Sequence, residues 1–277
     1  MLISKFEDQL TVIDKIEKQD ILVEIIEYNQ LKGAESPNAA KDMMLAQQAG
    51  MKLRQIRIKL KDSSIKTEQG ALYFSKGHIQ IDAQIGGVAG ALGKMLKSSL
   101  NSESAIKPVY SGTGEIYLEP TFKHYILLEL SNDSVIVDKG YFSCCSSSMK
   151  VEPVMQKNFS SAMAGGEGLF QTKIEGTGII VLEIPVPHDE ILKYELTGDR
   201  LQVDGNFAIL RSGNVKFSVQ KSSKSFIGSF MNGEGFLQTF EGQGQVWLAP
   251  TANVYKSLNL GSFGMVNAAN KTMNNKQ

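Results

Sequence analysis

Apolar and polar residues alternate with a period of two along much of the chain, which is the pattern of half-buried β-strands. Glycine, asparagine and aspartate separate these runs, and the Asp-Lys-Gly at Asp138 and the Asp-Gly at Asp204 predict tight turns, because glycine supplies the positive φ that such turns need. The sequence therefore predicts an all-β fold. The alternation is clearest at Ile56-Ile58-Leu60, Ile79-Ile81, Val151, Val215-Phe217-Val219 and Val246-Leu248.

One segment departs from the β pattern. Ser36 precedes Pro37 and a run of helix formers that ends at Gly50, which predicts a helix over residues 37–49 with a serine N-cap. The helix lies in an N-terminal region, residues 1–51, for which we expect two further strands. The tail, residues 251–277, is rich in Asn, Lys, Gly and Ser and predicts a short helix or a frayed end.

The chain also repeats itself. The segments SGTGEIYLEP, EGTGIIVLEIP and EGQGQVWLAP share a Gly-x-Gly, an apolar strand and a proline, and their first glycines, Gly112, Gly176 and Gly242, are 64 and 66 residues apart. Upstream of the last two, GGEGLFQTKIEG and NGEGFLQTFEG match closely, whereas the first copy keeps only a degraded form. The repeated motif positions are Gly112, Gly114, Gly166, Glu167, Gly168, Gly176, Gly178, Gly233, Glu234, Gly235, Gly242 and Gly244.

We therefore predict three tandem β repeats, over residues 52–120, 121–185 and 186–250, packed with the N-terminal region and the tail into one compact domain. The Gly-x-Gly pairs lack the third glycine and the following helix of a dinucleotide-binding fingerprint. Their recurrence argues instead for a backbone requirement, such as a bulge or a tight crossing. Glu167 and Glu234 either face a shared groove or are solvated turn residues, and we favour solvated turns.

The stretch IGGVAGALGKML, residues 85–96, has two interpretations. It lacks the glycine and the Lys-Ser or Lys-Thr of a P-loop. It is either an exposed loop or short helix that docks on a partner protein or a membrane surface, or a connection between strands that packs on its own domain or on a neighbouring subunit, which we favour. The residues that would make the docking surface are Ile85, Val88, Leu92, Lys94 and Met95.

Charge and composition limit the kinds of partner that the protein is expected to have. Lys plus Arg and Asp plus Glu each number 29, so the chain as a whole has no field that attracts nucleic acid. No apolar run approaches the roughly 20 residues of a membrane span, and the start MLISKFEDQL has an acidic pair where a secretory signal needs basic residues. We expect a cytoplasmic protein, with membrane contact the least favoured kind of association.

Candidate chemistry is sparse. Cys144 and Cys145 are the only cysteines, and we expect strand alternation to place one thiol in the core and the other outside, rather than to make a vicinal redox switch. His78, His124 and His188 lack metal-ligand spacing, and no serine lies in a Gly-x-Ser-x-Gly elbow. We predict no catalytic residue, no cofactor and no metal site.

The motifs GGEGLFQT and NGEGFLQT, followed by EGTGIIVL and EGQGQVWL, resemble the "altered inheritance of mitochondria" family, a domain of unknown function. The resemblance covers residues 53–250. It implies three β-sandwich-like repeats similar to the tryptophan RNA-binding attenuator protein, side by side and prone to ring assembly as a homotrimer. It does not imply binding of RNA or tryptophan, because a fold does not carry its function with it.

These observations favour a non-enzymatic structural or interaction protein that self-assembles through the edges of its β repeats, with a further protein partner unidentified. A module that binds a small ligand in the grooves between repeats is the alternative. Peripheral membrane association through residues 85–96 is a third hypothesis.

Overall fold

The structure is a computed structural model that describes residues 9–82, 107–155, 170–221 and 236–258. These residues form 13 β-strands, a helix near the N-terminus and two short helical segments, which confirms the predicted all-β class. They divide into two compact units, Met1–Ile184 and Pro185–Gln277. The division falls within one residue of the predicted boundary between the second and third repeats, while the packing of all parts into one domain stays a prediction.

The N-terminal region contains the expected two strands and helix. Strands β1 (Leu10–Lys18) and β2 (Ile21–Tyr28) form an antiparallel hairpin. Helix α1 covers Pro37–Gln48, and the Ser36 hydroxyl accepts a hydrogen bond of 3.1 Å from the backbone N–H of Ala39. The predicted cap and proline thus start the helix, which buries none of its side chains.

The rest of the first compact unit is an antiparallel sheet. Its further strands are β3 (Arg54–Thr67), β4 (Leu72–Asp82), β5 (Val109–Leu118), β6 (His124–Asp138), β7 (Phe142–Ser146), β8 (Lys150–Met155) and β9 (Phe170–Ile184). Along its main path the strand order is β1-β2-β3-β7-β9-β6; β5 also pairs with β3 and β4, and β8 pairs with β9. The last strand of each predicted repeat, β5 or β9, is therefore the one on which the other strands of that repeat assemble.

The second compact unit is organised in the same way around its last strand, β13 (Phe236–Leu248). Strand β10 (Leu192–Asp204) pairs with β13 along most of its length. Strands β11 (Ala208–Ser212) and β12 (Lys216–Lys221) also pair with β13. A 3-10 turn, His188–Glu190, precedes these strands, and residues 252–258 are helical, which is one of the two alternatives predicted for the tail.

Alternating apolar residues of the strands build the cores. In the first unit, Ile56, Ile58 and Ile65 of β3 are fully buried in a cluster that also includes residues of β2, β5, β7 and β9. In the second unit, Phe240 and Val246 of β13 lie in a smaller cluster with residues of β10. Each such side chain contributes on the order of 1.5–3 kcal/mol through burial, so alternation supplies most of the driving force for the sheets.

A β-bulge faces each Gly-x-Gly. The register of β3 against β5 shifts between Leu60 and Ser63, opposite Gly114 and Gly112. The register of β6 against β9 shifts between residues 130 and 133, opposite residues 178 and 176, and that of β10 against β13 shifts between residues 197 and 200, opposite the third motif. All six motif glycines have positive φ, from 119° to 157°. Any other residue there would be strained.

We predict that Gly112→Ala strongly destabilises the fold. A Cβ at this position would lie 2.0 Å from the backbone oxygen of His78, and its φ is +129°. Backbone strain and overpacking together should lower the free energy of unfolding by about 2–5 kcal/mol, measured by urea denaturation. Gly140→Ala is the matched control, because its φ is +81° but a Cβ would meet nothing within 4 Å. It should cost only about 1–2 kcal/mol. Equal losses for the two variants would contradict the close-approach explanation.

Candidate functional site

Several predicted site residues lie outside the described residues. They are the docking-loop residues Ile85, Val88, Leu92, Lys94 and Met95, and the Gly-Glu-Gly residues Gly166, Glu167, Gly168, Gly233, Glu234 and Gly235. Their roles stay predictions. The described motif residues Gly112, Gly114, Gly176, Gly178, Gly242 and Gly244 lie in three separate strands and shape the backbone rather than meet at one site.

The most open apolar surface of the sheet lies on strand β4. Tyr73, Phe74 and Ile81 are 55%, 44% and 60% exposed, and nearly the whole strand is accessible on both faces. Phe74 stacks on Tyr117 of β5, with ring centroids 4.3 Å apart, which holds the aromatic edge in place. Among the described residues β4 pairs with β5 alone, so its other edge offers unpaired backbone groups beside aromatic side chains.

Strand β7 holds the position in the second predicted repeat that β4 holds in the first, but it is covered. It pairs with β9 on one edge and with β3 on the other, where Ile65 faces Ser146 and Thr67 faces Cys144. Every residue of β7 is buried. Strands β7 and β4 therefore hold equivalent positions in the sheet, but β7 has β3 beside its outer edge and β4 has no described strand there.

The cysteine prediction was wrong in one respect. Cys144 and Cys145 are free thiols as expected, but both are 0% exposed. Alternation does place them on opposite faces of β7, yet both faces are covered. Burial raises the pKa of the Cys145 thiol to about 12 and that of Cys144 well above its ordinary value. Neither thiol has the depressed pKa of a reactive cysteine.

Strand β10 of the second unit is a second open edge. It pairs with β13 only, among the residues that the structure describes, and most of its side chains are exposed. Leu192 and Tyr194 near its start are large exposed apolar residues. Its last residues alternate, with Val203 buried in the core of the unit and Gln202 exposed. The strand is thus anchored on one face and free along one edge.

A polar cleft lies between the first two predicted repeats, inside the first compact unit. Lys107 forms an ion pair with Glu68 at its rim, and Lys123 pairs with Glu183 at 2.6 Å. Burial, with a contribution from the Glu183 charge, raises the pKa of Tyr125 well above its ordinary value. The cleft is lined by Glu68, Gln69, Gly70, Ala71, Leu118, Glu119, Tyr125, Lys139, Gly140, Phe142, Ser143 and Glu183.

Other chemistry is limited in the described part of the chain. No group of three or more His, Cys, Asp and Glu side chains there could hold a metal ion. His78 lies on β4, His124 begins β6, and the His188 ring contacts the Lys193 ammonium at 3.0 Å, so the three imidazoles occupy different places in the fold. None of the described helices is long and apolar enough to cross a membrane.

Comparison with known proteins shows the family to which the chain belongs. The family model described as mitochondrial biogenesis AIM24 matches residues 46–251, which include every strand from β3 onwards. The chain belongs to the AIM24 family. This confirms the resemblance drawn from the Gly-Glu-Gly and Gly-x-Gly motifs.

Two similar proteins come from Streptococcus pyogenes. An uncharacterized protein of serotype M6 is 24% identical over 208 residues, which cover 72% of this chain and 79% of that protein. A crystal structure of a protein from the same species has a TM-score of 0.57 and 21% identity, and the match covers 77% of this chain and 94% of that one. At this identity the likeness concerns the fold.

The alternation pattern does not by itself distinguish Tyr73 and Phe74. A signal for them is present, since these two aromatic residues occupy the strand position at which the second predicted repeat has Ser143 and Cys144. Alternation alone does not distinguish them from core residues, because it does not show which strand lacks a neighbour.

We predict that the two thiols are inert in the folded AIM24-family protein. At pH 8 a disulfide reagent should label neither Cys144 nor Cys145 in the time that it labels both in urea, since burial keeps them protonated and covered. The unfolded thiol pKa is about 8.5 and the folded values are higher. The folded state therefore keeps these protons up to a higher pH than the unfolded state does. The contribution of the two protonated thiols to stability is fully present below about pH 8.5, and the free energy of unfolding should fall as the pH rises toward 12. Rapid labelling of the native protein would contradict this account.

Proposed function

We propose that this AIM24-family protein is a non-enzymatic structural or interaction protein that self-assembles through the open edges of tandem β repeats. The observation that carries the proposal is the aromatic edge of β4, where Tyr73 and Phe74 are exposed beside a strand edge that no described strand pairs with. Soluble proteins normally shorten, charge or cover such edges, since an apolar edge recruits further strands. The side chains of Tyr73 and Phe74 are therefore suited to a strand edge that another strand covers.

The repeat architecture supports this proposal. In each predicted repeat the first strand carries a bulge opposite the Gly-x-Gly of the last strand. In the first two repeats the bulge N–H donates to the hydroxyl of the residue between the glycines, from Asp62 to Thr113 at 3.0 Å and from Asn132 to Thr177 at 2.8 Å. Three such repeats, similar to the tryptophan RNA-binding attenuator protein, would assemble side by side, and a homotrimeric ring is the assembly that we favour.

Charge and chemistry support the remaining parts of the proposal. The balanced charge gives no general attraction to nucleic acid, and the raised thiol pKa values disfavour cysteine chemistry. We propose a cytoplasmic scaffold without a cofactor, in which any further protein partner binds the assembled form.

The cleft between the first two repeats favours one alternative, a small-ligand-binding module. Its lining combines the Glu119 carboxylate and the Lys139 ammonium with the aromatic Tyr125, and Glu68 and Glu183 are each paired with a lysine, so the cleft would suit a small zwitterionic metabolite. A thermal-shift screen of amino acids tests this, because a bound ligand raises the midpoint of unfolding. No shift with any amino acid would count against it.

We predict that the protein forms oligomers and that Tyr73→Glu weakens them. The added carboxylate would lose its hydration at a covered edge, so association should weaken at least about tenfold, equivalent to about 1.4 kcal/mol. Light scattering after gel filtration measures the mass against the 30.3 kDa of one chain.

Ile81→Glu is the matched control for this variant. Ile81 lies on the same strand and is more exposed than Tyr73. It occupies the half of β4 that corresponds to β8, and among the described residues β8 pairs only with β9. It should leave the mass unchanged. A parent protein that remains at 30.3 kDa at every concentration would refute self-assembly.

A further inference from the structure

We propose that residues 72–76 of β4 pair antiparallel with residues 201–205 of β10 from a second copy of the chain, in the register of the internal β3–β7 pairing. The inference rests on the proposed self-assembly and specifies its partner, its strands and its register. The fold already contains one interface of this kind, between β3 and β7.

The β3–β7 contact is the template. Ile65, Lys66 and Thr67 of β3 face Ser146, Cys145 and Cys144 of β7. The contact continues beyond these pairs, since the Glu68 N–H donates to the Ser143 carbonyl at 2.8 Å and the Lys66 ammonium donates to the Met149 carbonyl at 2.6 Å. This joins the first strand of one repeat to the second strand of the next.

Strand β4 is the counterpart of β7. Phe74 faces Tyr117, which lies three residues after Gly114, and Cys144 faces Val181, which lies three residues after Gly178. Phe74 and Ser75 therefore hold the places of Cys144 and Cys145. The two cysteines are fully buried, whereas Phe74 and Ser75 are exposed.

Strand β10 is the counterpart of β3. Arg200 faces Glu241, which directly precedes Gly242, and Ser64 faces Ser111, which directly precedes Gly112. Leu201, Gln202 and Val203 therefore hold the places of Ile65, Lys66 and Thr67. Ile65 and Thr67 are 0% exposed, while Gln202 is exposed and Leu201 is only partly buried. Within the part of the chain that the structure describes, the first and last repeats thus each lack the neighbour that the template supplies.

The transferred register is chemically consistent. It sets Gln202 opposite Ser75 on one face and Val203 opposite Phe74 on the other, and polar pairs and pairs of an aromatic with a β-branched residue stabilise antiparallel strands. It sets Leu201 opposite Lys76 and Asp204 opposite Tyr73, so no like charges meet. The open edge of one copy is complementary to a different edge of the next, so the contact is head to tail and generates closed rings when the rotation closes.

A disulfide between the two strands tests the register directly. The double variant Ser75→Cys/Gln202→Cys places thiols at directly opposite positions, where Cα atoms of antiparallel strands lie about 4.5–5.5 Å apart, within disulfide range. The native Cys144 and Cys145 do not compete because they are fully buried. Mild oxidation should convert most of the protein into covalent oligomers on a non-reducing denaturing gel.

Gln80→Cys/Gln202→Cys is the control, because Gln80 lies in the other half of β4 and is also exposed. It should give at least about tenfold less crosslinking, since antiparallel residues out of register by five positions lie far beyond disulfide range. Equal crosslinking of the two double variants would overturn the register. A disulfide formed within single chains, which leaves the mass of one chain on the gel, would overturn the second copy as the partner.

Light scattering of the same samples before oxidation separates this inference from the proposed function. If the Ser75→Cys/Gln202→Cys variant forms oligomers that do not crosslink on oxidation, the β4–β10 pairing is overturned and self-assembly still stands. A protein that is monomeric before oxidation and does not crosslink would overturn both.

Discussion

Backbone hydrogen bonding to the last strand of each predicted repeat is the interaction on which the rest of the structure depends. Strands β5, β9 and β13 each pair on both sides, and the first strand of the repeat bends over the Gly-x-Gly through a bulge. In the first repeat the glycines also let β4 approach so closely that a Cβ at Gly114 would lie 2.2 Å from the Lys76 oxygen. The repeated glycines therefore belong to the architecture.

The same hydrogen-bonding requirement raises the question of what covers the outermost strand edges. An open sheet satisfies the backbone hydrogen bonds of its interior strands and leaves unpaired edges at its ends. Strand β7 shows how the protein covers such an edge, with β3 along one side and every residue buried. Strand β4 has an aromatic pair instead, exposed and unaccompanied among the described strands. The proposed assembly contact would give β4 the kind of neighbour that β7 already has.

Much of the fold was predictable because its signals are local. Alternation predicted the strands, Ser36 and Pro37 predicted the start of the helix, and the spacing of Gly112, Gly176 and Gly242 predicted where the long strands recur. The burial of both Cys144 and Cys145 was not predictable, since it depends on β3, about 80 residues earlier in the chain. Likewise, Tyr73 and Phe74 have the composition of core residues, and only the sheet order shows that nothing described covers them.

Amide hydrogen exchange along β4 tests the central claim most directly, since an edge that is paired in an assembly exchanges slowly only when the assembly forms. Residue-resolved rates would be compared at high and low protein concentration. The account predicts that outward-facing amides of residues 72–76 are protected at high concentration and exchange on dilution, while those of residues 78–82 exchange alike at both. Rates in both halves that do not depend on concentration would contradict it.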